Sequence, residues 1–315
     1  MNKFEQMMSN LPRLRHLELV SHCDNDVIDG HRWHKKVNKL DTFNFMFHIS
    51  DELQSEQLDS FRTPFWLNEK RWYVGYMIGR FLSVPHFIPR QVNNNFRLLR
   101  HTTAPNDEFL YEHTDKLDLA KALRHQSAYF PHVHTLTLSF VPSLPTVTRI
   151  VDLRQVRHLT LFSLKEASLI GPLIDELPNL NEISINYDGK SFIEYVSQKN
   201  FNQIRILRIS NCLTPIDDYN IEDLCLAFPY LERLQTNDKC STEKIFHFLY
   251  RLKYLSTASF RCAAWFAGAN KETHLRIRSD LDEMLHLNEL NYTYRLDESA
   301  AAHFWILSQS NQHRT

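Results

Sequence analysis

Eight short segments of this chain repeat one pattern: an apolar residue, two others, an apolar residue, one other, an apolar residue. They read LRHLEL, LDTFNF, VHTLTL, VRHLTL, LNEISI, IRILRI, LERLQT and LSTASF. They begin at Leu14, Leu40, Val133, Val156, Leu180, Ile204, Leu231 and Leu255. From Val133 onward the starts lie 23, 24, 24, 27 and 24 residues apart. Only one of the apolar slots, Thr236, is polar, although 43% of the chain is hydrophobic and chance would fill fewer than half of them. The last two slots of each segment alternate with an outward residue, as a strand requires. The first slot, three residues earlier, points inward from the entering turn.

A period of roughly 20–29 residues headed by L-x-x-L-x-L is that of a leucine-rich repeat. The expected fold is therefore an α/β leucine-rich-repeat solenoid, with a curved parallel sheet on its concave face and helices on its convex face. Each coil leaves an apolar edge that only the next coil can bury. The linkers LKEASLIGPLIDEL (164–177), SFIEYVSQKNF (191–201), YNIEDLCLAF (219–228) and STEKIFHFLYRL (241–252) space apolar residues three or four apart, which predicts amphipathic helices. Ser241 and Thr242 stand where the last should start. Pro178 and Pro229 stand where a helix should stop.

The array is read as one domain over 1–315, with irregular repeats and an insertion over 51–130, regular repeats over 131–262 and a cap over 263–310. Within the insertion, WYVGYMI (72–78) and FLSVPHF (81–87) are strand-like, and Gly79-Arg80 predicts a hairpin turn between them. FRLLR (96–100) reads as another strand, 101–114 as a polar surface loop and DKLDLAKALRHQSAYF (115–130) as a helix. Near the C-terminus SDLDEMLHL (279–287) reads as a helix. LNYTYRL (290–296) and HFWIL (303–307) read as a hairpin that closes the exposed edge of the last repeat. At the front, either a short helix FEQMMSNL (4–11) is the whole cap, or the chain lacks a preceding domain.

A net charge of −1 gives no electrostatic reason to invoke nucleic acid or a membrane surface. No apolar run reaches signal-peptide or membrane-span length. Five cysteines, at 23, 212, 225, 240 and 262, form no C-x-x-C pair and read as reduced thiols of a cytoplasmic protein. Cys212 follows the strand IRILRIS where such repeats favour Asn or Cys; His22, Val141, Leu164, Asp188, Lys239 and Ala263 hold the equivalent sites. Six scattered glycines exclude G-x-x-x-x-G-K and G-x-G-x-x-G phosphate loops, and no G-x-S-x-G elbow occurs. No cofactor is expected. The best metal-like cluster is His22, Cys23, Asp24, His31 and His34, which keeps a metal-dependent enzyme as a distant alternative. His132 and His134 flank an inward Val133 in a turn.

Function is therefore expected on a surface. One outward column runs Glu18, Asn44, Thr137, Thr160, Ser184, Arg208, Gln235 and Ser259. Its neighbour runs Val20, Met46, Ser139, Phe162, Asn186, Ser210, Asn237 and Arg261. A shallow groove bordered by His158, Phe162 and Ile206, with a basic run of Arg208, Arg233 and Arg261, is the candidate site for a protein partner. Arginine there fits an acidic or phosphorylated peptide.

The units FPHVHTLTL, LRQVRHLTL, LPNLNEISI, FNQIRILRISNC and FPYLERL resemble the irregular leucine-rich repeats of F-box proteins, through the entering L/F-P-x-L and the turn cysteine at 212. HRWHKKVNKLDTFNFMF and FRTPFWLNEKRWYVGYMI are similar to the repeat region of an invertebrate group of such proteins. The resemblance implies substrate-recognition repeats of a ubiquitin-ligase receptor. Its helical F-box would dock a Skp adaptor of a cullin complex. No F-box segment precedes Leu14, so adaptor docking is expected only if one lies upstream, and a truncated chain is expected. A stand-alone scaffold or inhibitor of the ribonuclease-inhibitor sort is the alternative.

Overall fold

The period-two segments become strands, and the residues between their inward positions stay wet. A computed structural model of the chain describes residues 6, 10–50, 52–92, 99–119, 128–139, 143–162, 170–186, 196, 199–210, 218–262, 271–287, 292–296 and 301–306. They form a mixed α/β protein whose strands are mostly parallel, in sheets that do not close into a barrel. Two compact units divide the chain, one comprising Met1–Leu117 and Lys121–Val133, the other Asp118–Ala120 and His134–Thr315.

In the first unit β1 (His16–His22) pairs in parallel with β2 (Thr42–His48), His16 opposite Thr42 and His22 opposite His48. Helix α1 (Gly30–Val37) connects them. Antiparallel β3 (Tyr73–Met77) and β4 (Arg80–Val84) complete the hairpin expected from the sequence, turning at Ile78-Gly79. Gly79 adopts φ +72°, where a side chain is strained. β4 lies against β2. Two-residue β5 (Gln91–Val92) and β6 (His101–Thr102) follow, then α2 (Asp107–Leu110) and β7 (Lys116–Asp118).

Two expectations for this stretch are corrected. Segment 101–114 is not a surface loop: β6 pairs with β3, and Leu110, Tyr111 and Thr114 are buried. The start of 115–130 is not helical. Residues 116–118 are β7, which pairs in parallel with β5, and the helical residue Leu119 follows at once. Residues 120–127 lie outside the described residues, as do 96–98 of the expected FRLLR strand and most of the 4–11 helix.

An aromatic core holds this unit. Phe43, Phe45 and Phe47 alternate inward from β2 and meet the Trp33 ring of α1 at centroid distances of 5.0, 6.5 and 5.9 Å. Trp66 donates from its Nε1 to the Gly30 carbonyl at 3.1 Å, and the Gly30 amide donates to Ser60 Oγ at 2.9 Å. A β-carbon at Gly30 would sit 2.4 Å from the Ser60 carbonyl oxygen, so α1 reaches this close only without a side chain. Gly30→Ala is expected to cost about 1–3 kcal/mol by overpacking against backbone. Urea unfolding checks this, and an unchanged midpoint would show that the 55–61 segment yields freely.

In the second unit six strands run parallel: β8 (Thr135–Leu138), β9 (His158–Leu161), β10 (Glu182–Ile185), β11 (Ile206–Ile209), β12 (Arg233–Cys240) and β13 (Thr257–Cys262). Between and after them lie α3 (Leu144–Thr148), α4 (Ile170–Asp175), α5 (Asp218–Ala227), α6 (Thr242–Arg251) and α7 (Lys271–Leu287). Ser241 caps α6, its Oγ accepting from the Lys244 amide at 3.4 Å. The helix expected over 164–177 is described from Ile170, and that over 191–201 lies mostly outside the described residues.

Antiparallel β14 (Tyr292–Leu296) and β15 (Ala301–Ile306) close the sheet, β15 lying against β13, in the place the sequence assigned to them. The sheet order is β14-β15-β13-β12-β11-β10-β9-β8.

The inward slots line up in register. Leu136, Leu159, Ile183, Leu207, Leu234 and Ala258 are successive rungs, all buried. Leu138, Leu161, Ile185, Ile209, Thr236 and Phe260 form a second buried row. Each large member contributes about 1.5–3 kcal/mol by burial. Thr236, the polar exception, lies 3.9 Å from Cys240 Sγ through its hydroxyl, next to a bulge that shifts the register between Thr236 and Lys239.

The backbone repeats as well. At Leu14, Leu40, Val156, Leu180, Ile204, Leu231 and Leu255 the amide donates to the carbonyl three residues back, at 2.9–3.3 Å. Those carbonyls belong to Leu11, Val37, Leu153, Leu177, Phe201, Phe228 and Leu252, a fourth apolar position at each of these seven turns. One residue after the entering amide, a single carbonyl accepts two amides of the following segment. His134 accepts from Arg157 and His158, Arg157 from Asn181 and Glu182, and Asn181 from Arg205 and Ile206. Arg205 and Glu232 do the same for the two coils that follow.

Candidate protein-binding face

Period-two alternation puts every second residue of β8–β13 on the outward face, and register sorts them into rows. One row runs Thr135, His158, Glu182, Ile206, Arg233 and Thr257; the next runs Thr137, Thr160, Ser184, Arg208, Gln235 and Ser259. The hydroxyl residues in the middle keep the face low, and longer side chains rise toward β12.

The six residues expected to form the site do not gather at one point. Ile206, Arg208 and Arg233 line a depression of about 180 Å³ at the closing end of the sheet, together with Thr257, Ser259 and Trp305. His158 stands two strands from Ile206 in the same row. Phe162, 45% exposed, and Arg261, also exposed, lie four residues further along their strands than His158 and Thr257. At about 3.3 Å per residue that is roughly 13 Å away, outside the depression.

The basic run is also modified. Arg208 places Nε 3.1 Å from Glu182 Oε1, and His158 places Nε2 3.7 Å from Glu182 Oε2. Glu182 is only 7% exposed. A carboxylate so covered needs a cation, because leaving a buried charge unpaired is costly. Arg208 therefore supplies much of its charge to the protein itself. Arg233 is exposed and has no carboxylate partner among the described residues; the adjacent Glu232 is engaged by Arg205 at 3.4 Å. One uncompensated guanidinium, not a row of three, faces the depression.

Two members of this face escaped the sequence reading. Glu182 lies between His158 and Ile206 in a single row, so laying out that row would have found it. Trp305, 45% exposed, reaches the face through β15, opposite Thr257. Its register comes from a hairpin that the repeat period does not describe.

No protein-family model, no curated protein and no solved structure matches the chain.

The metal-like cluster is placed otherwise. The His22 ring stacks on His48 at 4.6 Å and the His34 ring on Phe65 at 3.8 Å. Among the described residues no three His, Cys, Asp or Glu side chains are grouped to hold a metal. Among the same residues, no helix is long and apolar enough to cross a membrane. Cys23 and Cys225 carry free thiols. Burial, then the nearby Glu222 carboxylate, pushes the Cys225 thiol up to about 12. Since the thiolate is the reacting form, Cys225 is expected to resist iodoacetamide at neutral pH far longer than a free cysteine. Peptide mass mapping over time checks this, and rapid alkylation would show an exposed, ionisable thiol. The turn position Cys212 lies outside the described residues.

Proposed function

We propose that the chain is a leucine-rich-repeat solenoid that binds another protein on the outward face of its parallel sheet and carries no chemistry of its own. We further propose that it provides the substrate-recognition repeats of an F-box-type ubiquitin-ligase receptor. The observation that carries the first reading is the identical backbone pattern at seven entering turns. It makes each coil a copy of its neighbour and leaves the outward rows as the part that differs. The F-box reading rests on the L/F-P-x-L entries, whose first residues are the fourth apolar position seen at those turns.

The test compares affinity capture by the wild-type chain with capture by Thr160→Arg, a bulky cation in the middle of the face, and by Arg233→Glu. Arg208 is avoided, because reversing it would set two carboxylates together at Glu182 and confound binding with stability. Partners are expected to be lost with Thr160→Arg while the melting temperature is unchanged. Those partners are expected to accumulate in cells when cullin ligases are inhibited. Capture that no face substitution alters would overturn the binding reading. Partner levels indifferent to cullin inhibition would overturn the ligase reading alone.

A further inference from the structure

The depression at the closing end of the sheet owes its shape to side-chain size. Thr257 and Ser259 on β13 are small. Long side chains flank them: Arg233 and Gln235 on β12, and Trp305 and His303 on β15, each opposite its β13 counterpart. Neighbouring strands stand about 4.8 Å apart, so the two walls of this trough are roughly 10 Å apart, room for one extended segment. Its floor offers hydroxyls, one wall a guanidinium, and the other an indole face with the His303 ring 6.5 Å from it.

Charge selects the occupant. Among the residues lining the trough there are two arginines and a histidine and no carboxylate. Arg208 is offset by Glu182, so among the described residues Arg233 supplies one positive charge without a carboxylate partner. A single carboxylate matches it through charge-assisted hydrogen bonds. A dianionic phosphate would exceed it.

We propose that this trough receives an extended acidic segment of the partner protein. An Asp or Glu side chain meets the Arg233 guanidinium, and a neighbouring aromatic or large aliphatic side chain lies on the Trp305 ring. Aromatic and arginine anchors beside small, water-excluding neighbours are the usual centre of a protein interface. The assignment rests on the reading that the outward face binds protein, and it narrows that face to its closing end.

The test selects displayed random peptides of about ten residues on the full 315-residue chain. Enriched sequences are expected to share an acidic residue within three positions of an aromatic or large aliphatic one. A synthetic consensus peptide should lose about tenfold or more in affinity with Arg233→Glu. It should lose as much with Thr257→Gln, which fills the floor without changing charge. Lysine in place of the peptide's acid should restore binding to Arg233→Glu. Phosphoserine at that position should bind no tighter than glutamate; a tenfold tighter phosphopeptide would overturn the carboxylate assignment. Binding that survives Arg233→Glu and Thr257→Gln yet is lost with Thr160→Arg would overturn the trough and leave the face reading standing. Absence of enrichment, or binding indifferent to all three substitutions, would overturn both.

Discussion

Replacing Trp33 by alanine should bring the first unit close to unfolding. The indole is 1% exposed and touches all three inward phenylalanines of β2, so no single neighbour can close the space it leaves. Truncation of a buried large aromatic costs about 3–5 kcal/mol. The Nε1 donation to the Val27 carbonyl, 2.8 Å, is lost as well, leaving a buried acceptor unpaired at roughly 1–3 kcal/mol more. Whole domains hold only about 5–15 kcal/mol. Urea titration followed by far-ultraviolet dichroism is expected to show an early transition in the variant, and Trp33→Phe should recover part of the loss. A cost below about 1 kcal/mol would mean that the ring stack fills space without supporting the fold.

Leu207→Ala should be nearly as costly, and its effect should spread. Leu207 is a buried rung between Ile183 on one side and Leu234 on the other. Leucine-to-alanine changes in a packed interior cost about 2–5 kcal/mol. The inward Leu207 side chain stands in register with those of the two flanking strands, so the cavity belongs to three strands rather than one. Amide hydrogen exchange is expected to quicken across 182–185 and 233–236 as well as 206–209. Quickening confined to 206–209 would show that the strands hold themselves independently.

Both outcomes bear on what could be read before any coordinates. The rungs were legible because a strand's inward positions must be apolar and its period is fixed at two. The closing hairpin was legible because an array needs its last edge covered. The stretch from 101 to 119 was not. There Lys116, Leu117 and Asp118 open a longer run that satisfies a helical period, and pairing with Gln91–Val92 makes these three a strand before the helical residue Leu119. Tertiary partners override local pattern in so short an element. The site divides the same way. Ile206, Arg208 and Arg233 follow from row and register. The burial of Glu182 depends on two neighbours from different coils, and Trp305 arrives by a strand running the other way.

The doubled acceptance at each entering turn has a consequence for how such a molecule changes over generations. Spacing from coil to coil is set by main-chain groups that every amino acid possesses. Side chains that point to solvent from the sheet take no part in that spacing. On the proposed protein-binding reading, substitution there redirects which protein is recognised while the frame keeps its shape, so the address and the scaffold are free to evolve at different speeds.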